Sequence, residues 1–209
     1  MIGKIVHLFI GVSILLKVVF SLPKVKKNLK FKLKIMRKIV CIAVMALLGF
    51  GNVNAQEFKY GIIAGFHNLS ISASDEGITV SADGQGIYAG VFGEYNLSEN
   101  LNLHTEFQYA SASKDGESTN LLVLPILVKY YVSEQFNIQA GPQLDYITSE
   151  VEDANDFGVG IGVGAGFDIS KNFFINTRYT FGLSNRLSEL PSGVSIKFNI
   201  FQAGLGYRF

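Results

Sequence analysis

The sequence predicts an all-β protein: an eight-stranded antiparallel up-and-down barrel that crosses a membrane on its strands. Three observations predict it. Eight long runs alternate between apolar and polar residues, as a sheet with two unlike faces requires. Short connections alternate with long ones, so all short turns fall at one end, the layout of outer-membrane barrels. One run, "FGVGIGVGAGFDIS" at 157–170, has glycine at every second position from Gly158 to Gly166, with Val159, Ile161, Val163 and Ala165 between. A face that is wholly apolar beside a face that is wholly bare suits a wall between lipid and a crowded interior. A dinucleotide-binding loop is excluded, because its glycines break the period of two and open a helix. Here another alternating run follows.

The N-terminal quarter is set apart. Residues 36–55, "MRKIVCIAVMALLGFGNVNA", have a basic start at Arg37 and Lys38, an apolar stretch, and a small-residue site ending at Ala55. That pattern predicts a secretory signal peptide cleaved between Ala55 and Gln56. Its apolar core is too short to span a bilayer as a helix. Residues 1–35 precede a complete signal peptide and are read as an upstream extension from a start assigned too early. The expected organisation is therefore 1–35 extension, 36–55 signal peptide and 56–209 barrel.

Charge follows this division. Ten of the 18 basic residues precede Gln56 and all 17 acidic residues follow it, so residues 56–209 carry a net −9 although the whole chain is +1. Phosphate binding needs concentrated positive charge, so no nucleic-acid partner is expected. The one cysteine, Cys41, lies in the signal peptide, which leaves neither disulfides nor thiol chemistry to the barrel.

The strands are expected at about 58–70, 86–97, 101–113, 120–132, 136–147, 157–169, 173–185 and 195–209. Three similar segments, "NLSENLNL", "YVSEQFNI" and "DISKNFFI", mark the tight turns, with Leu97, Val132 and Ile169 at equivalent points. The remaining connections, 71–85, 114–119, 148–156 and 186–194, are expected to be long polar loops. One face of the later strands is apolar: Leu122 to Val132, Phe136 to Tyr146, Phe173 to Leu183 and Phe201 to Phe209 at every second residue. Aromatics gather near the strand ends, as interfacial girdles do. The other face is polar, with Asn102, His104, Glu106 and Gln108 on one strand and Asn176, Arg178 and Thr180 on another. The charged positions within strands are few and balanced. Lys59, Glu94, His104, Glu106, Lys129, Asp145, Asp168, Arg178 and Arg208 are expected to form a paired lumen network. Eight strands leave an interior just wide enough to be filled by side chains, and the glycine stripe would make room for groups such as Arg178, Lys129 or Tyr131.

The region after the signal peptide resembles the small outer-membrane β-barrel proteins of Bacteroidetes, the porin-family or PorT-like proteins. The "LLVLPILVKYYV" and "QFNIQAGPQLDY" segments, the glycine-alternating strand and the final "FQAGLGYRF" carry the resemblance. It implies a barrel in the cell outer membrane in contact with its lipid, and no single activity. It also implies that Leu205, Tyr207 and Phe209 form the C-terminal signal read by the barrel-assembly machinery.

No cofactor, metal or catalytic residue is expected. Some eight-stranded barrels modify lipid A with a lipid-facing His, but His104 shares the lumen face with Glu106 by parity. The acidic loop with Glu150, Glu152, Asp153 and Asp156 matches no calcium-loop spacing, though an unidentified extracellular ligand could bind acidic loops. The function expected is a structural or surface-interaction barrel acting through its outer loops. The alternatives are a narrow channel or transport component, and a lipid-modifying enzyme.

Overall fold

Alternation gives each run one face for each of two surroundings, and the runs pair in sequence order. In the computed structural model, which describes residues 58–75, 78–114, 116–149, 155–186 and 195–209, they form β1 (Phe58–Asp75), β2 (Ile78–Ser98), β3 (Leu101–Lys114), β4 (Glu117–Tyr131), β5 (Phe136–Ile147), β6 (Phe157–Asp168), β7 (Phe173–Gly182) and β8 (Ser195–Arg208). All neighbours are antiparallel, and the sheet closes as β8 pairs with β1 from Gly61↔Arg208 to Ser74↔Ser195. The expected extension and signal peptide, including Ala55 and Gln56, lie outside the described residues.

The outward face is apolar. Ile62, Phe66, Ile87, Val91, Ile138, Ile161, Val163, Ile175 and Leu205 are all exposed on it, while the charged strand residues Glu94, Glu106, Lys129 and Arg178 are buried inside. That is the inverse of a water-soluble domain and is stable only with hydrocarbon outside. Aromatic rings band the lower rim. Tyr60 meets Phe209 in a tilted contact at 5.6 Å, and Phe209 meets Tyr207 at 5.5 Å and Tyr207 meets Phe173 at 4.9 Å edge to face, between ring centroids. Phe209, expected as part of an assembly signal together with Leu205 and Tyr207, donates its backbone N–H to the Tyr60 carbonyl at 3.0 Å. At the opposite rim the register sets Tyr109 level with Leu122, Leu122 with Tyr146 and Tyr146 with Phe157.

Two of the four expected long loops are strand instead. β1 extends to Asp75 and β2 begins at Ile78, and β3 extends to Lys114 with β4 beginning at Glu117. Beyond the membrane both faces of a hairpin meet water, so the apolar–polar contrast disappears while pairing continues. Small hydroxyl residues hold these extensions. Ser72 Oγ lies 3.0 Å from Ser81 Oγ, and Ser113 Oγ lies 2.7 Å from Ser118 Oγ. Gly116, at φ 89°, takes the left-handed conformation of the β3–β4 turn. β7 is shorter than expected, ending at Gly182, where the Gly182 N–H turns to Asn199 Oδ1 at 3.1 Å.

The interior is layered, which alternation did not predict. Its lower and middle parts set the polar groups among buried Ile63, Phe92, Leu127 and Phe174. Its upper part is an apolar core that includes Leu69, Ala110, Ala112, Leu121, Val123 and Ile147, closed over by Phe198 and Ile200. "LLVLPILV" is apolar on both faces, so parity alone gave no sign that Leu121 and Val123 fill the lumen. The glycine stripe faces the interior. A Cβ at Gly158 would strike the Arg186 guanidinium, and one at Gly162 would sit 3.2 Å from Arg178 Cδ and 3.3 Å from Thr180 Oγ1. The groups using that room are thus Arg178 and Arg186. Lys129 and Tyr131, also expected there, reach Glu94 and Asp168 instead.

This arrangement makes opposite predictions for adjacent residues. Gly162→Leu should destabilise the folded barrel by about 1–3 kcal/mol through overpacking, whereas Val163→Leu should be nearly neutral. Val163→Arg should cost roughly 2–4 kcal/mol near mid-bilayer. Urea titration of vesicle-inserted barrel, followed by heat-modifiable gel mobility, measures all three.

Candidate functional site

The candidate site is the polar layer of the lumen, built by parity: every second residue of each strand points in. From β2 comes Glu94, from β3 Asn102, His104, Glu106 and Gln108, from β4 Lys129, from β7 Arg178 and from β8 Gln202. All are buried. Lys129 Nζ donates to Glu94 Oε2 at 2.9 Å, and Asn102 Nδ2 to Glu94 Oε1 at 3.0 Å. His104 sits between two carboxylates, with Nδ1 3.1 Å from Glu94 Oε2 and Nε2 2.9 Å from Glu106 Oε1. Arg178 grips Glu106 with both guanidinium ends, Nη1 to Oε1 at 3.0 Å and Nη2 to Oε2 at 3.1 Å. Such a two-point grip fixes orientation as well as charge.

The chain of contacts continues across the barrel. Arg178 Nη2 donates to Gln202 Oε1 at 2.7 Å, and Gln202 Nε2 donates to Gln108 Oε1 at 2.8 Å and faces His67 Nδ1 at 3.4 Å. Gln108 Nε2 donates to Glu106. Side chains of β1, β3, β7 and β8 are therefore tied together at one level. The two formal cations Lys129 and Arg178 match the two carboxylates Glu94 and Glu106, with the imidazole bridging them. Charges in a low-dielectric interior persist only when paired and hydrogen-bonded in this way.

Two outlying pairs stand above and below. Near the lower rim Arg208 Nη2 donates to Asp168 Oδ1 at 2.7 Å, and Tyr131 donates to Asp168 Oδ2 at 3.2 Å. The Phe174 ring receives Lys129 Nζ at 4.9 Å and the Arg208 guanidinium at 4.5 Å from its centroid. Higher up, Arg186 pairs with Asp145 and lies 4.4 Å from the Phe198 ring centroid. Arg186 was not anticipated, because it follows the end of β7 in a segment that reads as polar loop. Its buried position comes from the backbone: Arg186 N donates to the Ile196 carbonyl at 2.9 Å, which turns the chain inward. Lys59 is half-buried opposite Glu94 in the β1–β2 register. Of the acidic loop, Glu150, Glu152 and Asp153 lie outside the described residues, and Asp156 accepts from the Tyr146 hydroxyl at 3.4 Å.

Chemically this layer is suited to bracing. His104 has both ring nitrogens engaged, lies fully buried and faces the lumen, so a lipid outside cannot reach it. Among the described residues, no group of three or more His, Cys, Asp or Glu is arranged to hold a metal ion.

Residues 40–209 match the family model described as outer membrane protein beta-barrel domain. No curated protein matches the chain. Among solved structures the chain is similar to Ail, the attachment invasion locus protein of Yersinia pestis, at 15% identity and TM-score 0.47, covering 73% of this chain and 99% of that one. It is also similar to the outer membrane protein OprG from Pseudomonas aeruginosa, at 13% identity and TM-score 0.45, covering 74% and 97%. Neisserial surface protein A gives 14% identity and TM-score 0.46, covering 75% and 100%.

Breaking the central grip should be expensive. Arg178→Leu leaves Glu106 without its cation, and removing one partner of a buried pair costs on the order of 3–5 kcal/mol. Lys171→Ala, in the exposed β6–β7 turn, should change stability by no more than about 0.5 kcal/mol. Equilibrium urea unfolding of both variants in the same detergent is the check. Equal midpoints would show that the pair does not brace the barrel.

Proposed function

From the premise that the chain belongs to the outer membrane protein beta-barrel domain family, and so resides in the cell outer membrane, we propose that it is a non-conducting barrel with a filled lumen. Its role on this reading is structural and interactive, exercised by the loops and hairpins at its outer end. One observation carries the proposal. The contacts from Lys129 through Glu94, His104, Glu106 and Arg178 to Gln202 and Gln108 run transversely through the lumen and tie facing walls together. A solute moving along the axis would have to break them. The upper apolar core adds a second barrier that no ion crosses cheaply.

Binding rather than catalysis fits the placement of His104, which shares no surface with lipid. Leu205, Tyr207 and Phe209 are read as the stretch offered to the barrel-assembly machinery. The resemblance of the "LPILVKYY" and "GPQ" segments supports reading it as one of the PorT-like barrels of Bacteroidetes.

A second reading, a narrow water path, has one specific observation in its favour. Beside the glycine stripe the buried amide of Gln139 has no hydrogen-bond partner at either end among the described residues, and Gln143 Nε2 and Asn176 Nδ2 likewise have none there. Small polar molecules could be passed along such a wall.

Planar-bilayer recording separates the two. The native barrel should show no steady conductance, and the double variant Arg178→Ala, Gln202→Ala, which leaves the apolar core in place, should stay closed as well. A steady current through the native barrel would favour the narrow path and remove the filled-lumen reading.

A further inference from the structure

β2 outruns its neighbour. It pairs with β1 continuously from Asp75↔Ile78 down to Phe58↔Tyr95, but its register with β3 begins only at Gln85↔Ser113. Residues 78–84 therefore present one edge that no described residue pairs with. At about 3.4 Å per residue this edge is roughly 23 Å long. Natural sheets usually blunt such an edge with lysine, proline or a bulge. The segment is "ITVSADG", without lysine or proline, and its register with β1 carries no shift. The projecting edge of β8 is treated differently. Arg186 N donates to the Ile196 carbonyl at 2.9 Å, and Ile196 N donates to Asn185 Oδ1 at 3.0 Å. One edge is covered, and among the described residues the other is left open.

A cavity of about 210 Å³ lies beside the open edge, on the lumen side. Leu69, Ile71, Ala82, Gly84 and Ala112 give it an apolar lining, and Asp83, Lys114 and Glu117 add charge. Of the residues lining it from this segment, Ala82 and Gly84 are small. A Cβ on Gly84 would meet nothing closer than Ala112 Cβ, at 3.5 Å. A strand laid along the edge would send alternate side chains inward, next to Ala82 and Gly84 and above Ala112, where this space is.

We propose that the outer rim is a strand-addition site: an extended polypeptide segment of a partner hydrogen-bonds along residues 78–84 of β2 and places an aliphatic side chain in the adjoining cavity. In this mode the backbone gives affinity and the side-chain pocket gives selectivity. A lipid or saccharide could not satisfy a row of alternating N–H and C=O groups in register. A second barrel is a poor occupant, because the edge stands above the end of β3, within the barrel's own circumference. The proposal names the partner class for the surface-interaction reading and rests on it.

The experiment uses the full barrel in lipid nanodiscs and the peptide acetyl-Lys-Thr-Leu-Thr-Leu-Thr-Lys-amide. A copy of this peptide with alternate backbone nitrogens methylated is the control. Backbone amide exchange at residues 81–84 should slow about tenfold or more with the first peptide and stay unchanged with the methylated one. Ala82→Phe, which fills the cavity, should weaken peptide binding about tenfold while keeping the heat-modifiable mobility of a folded barrel. Absence of slowing at millimolar peptide, or equal slowing by both peptides, overturns the proposal. Slowing that depends on barrel concentration without peptide overturns it in favour of a second copy. None of these outcomes depends on conductance, so strand addition can fail while the closed-barrel reading stands.

Discussion

Every backbone N–H and C=O within the bilayer must find its partner inside the protein, because hydrocarbon offers none. The rest of the structure depends on this constraint. A helix satisfies it within one segment. A sheet satisfies it only by closing, and the β8–β1 pairing is where this chain does so. Closure fixes which side chains are shut in together, since parity leaves each residue no choice of face. His104 and Glu106 share the interior with Gln108 because they are two residues apart, and the lumen chemistry follows from the pleat.

Closure also explains why the interior is packed. An eight-stranded wall encloses a narrow space, and long polar side chains from facing strands meet in it. The bare wall of β6 is the complement of that crowding. Arg178 and Arg186 are long and need somewhere to lie, and Gly162 and Gly158 provide it. The same economy recurs at Gly206, whose missing side chain is the room occupied by the Phe174 ring.

The fold was legible because the membrane imposes a contrast that the sequence must display. Where lipid lies on one side and the polar lumen on the other, as along Phe173 to Phe181, alternation names both the strand and its faces. Legibility stopped where the contrast stopped. Residues 71–75, 78–85 and 117–119 continue their strands beyond the membrane, and there the sequence read as loop. Leu121 and Val123 failed in the opposite sense: an apolar lumen behind an apolar exterior leaves no period to detect. Arg186 was hidden for a third reason. Its burial is set by backbone bonds to β8, between segments far apart in the chain, which local pattern does not record.

The ion pairs have a consequence for how the barrel must come together. Glu106 and Arg178 stand 72 residues apart, on β3 and β7. They meet only once the sheet has curved far enough to bring those walls face to face. Until then each is a lone charge on a strand bordering hydrocarbon, which is a costly state. An open, half-built sheet is therefore penalised twice, once for its unpaired strand edges and again for its uncompensated side chains. Both penalties disappear in the same event. The final meeting of β1 and β8 is thereby made all-or-none, and partly assembled forms are kept from accumulating in the membrane.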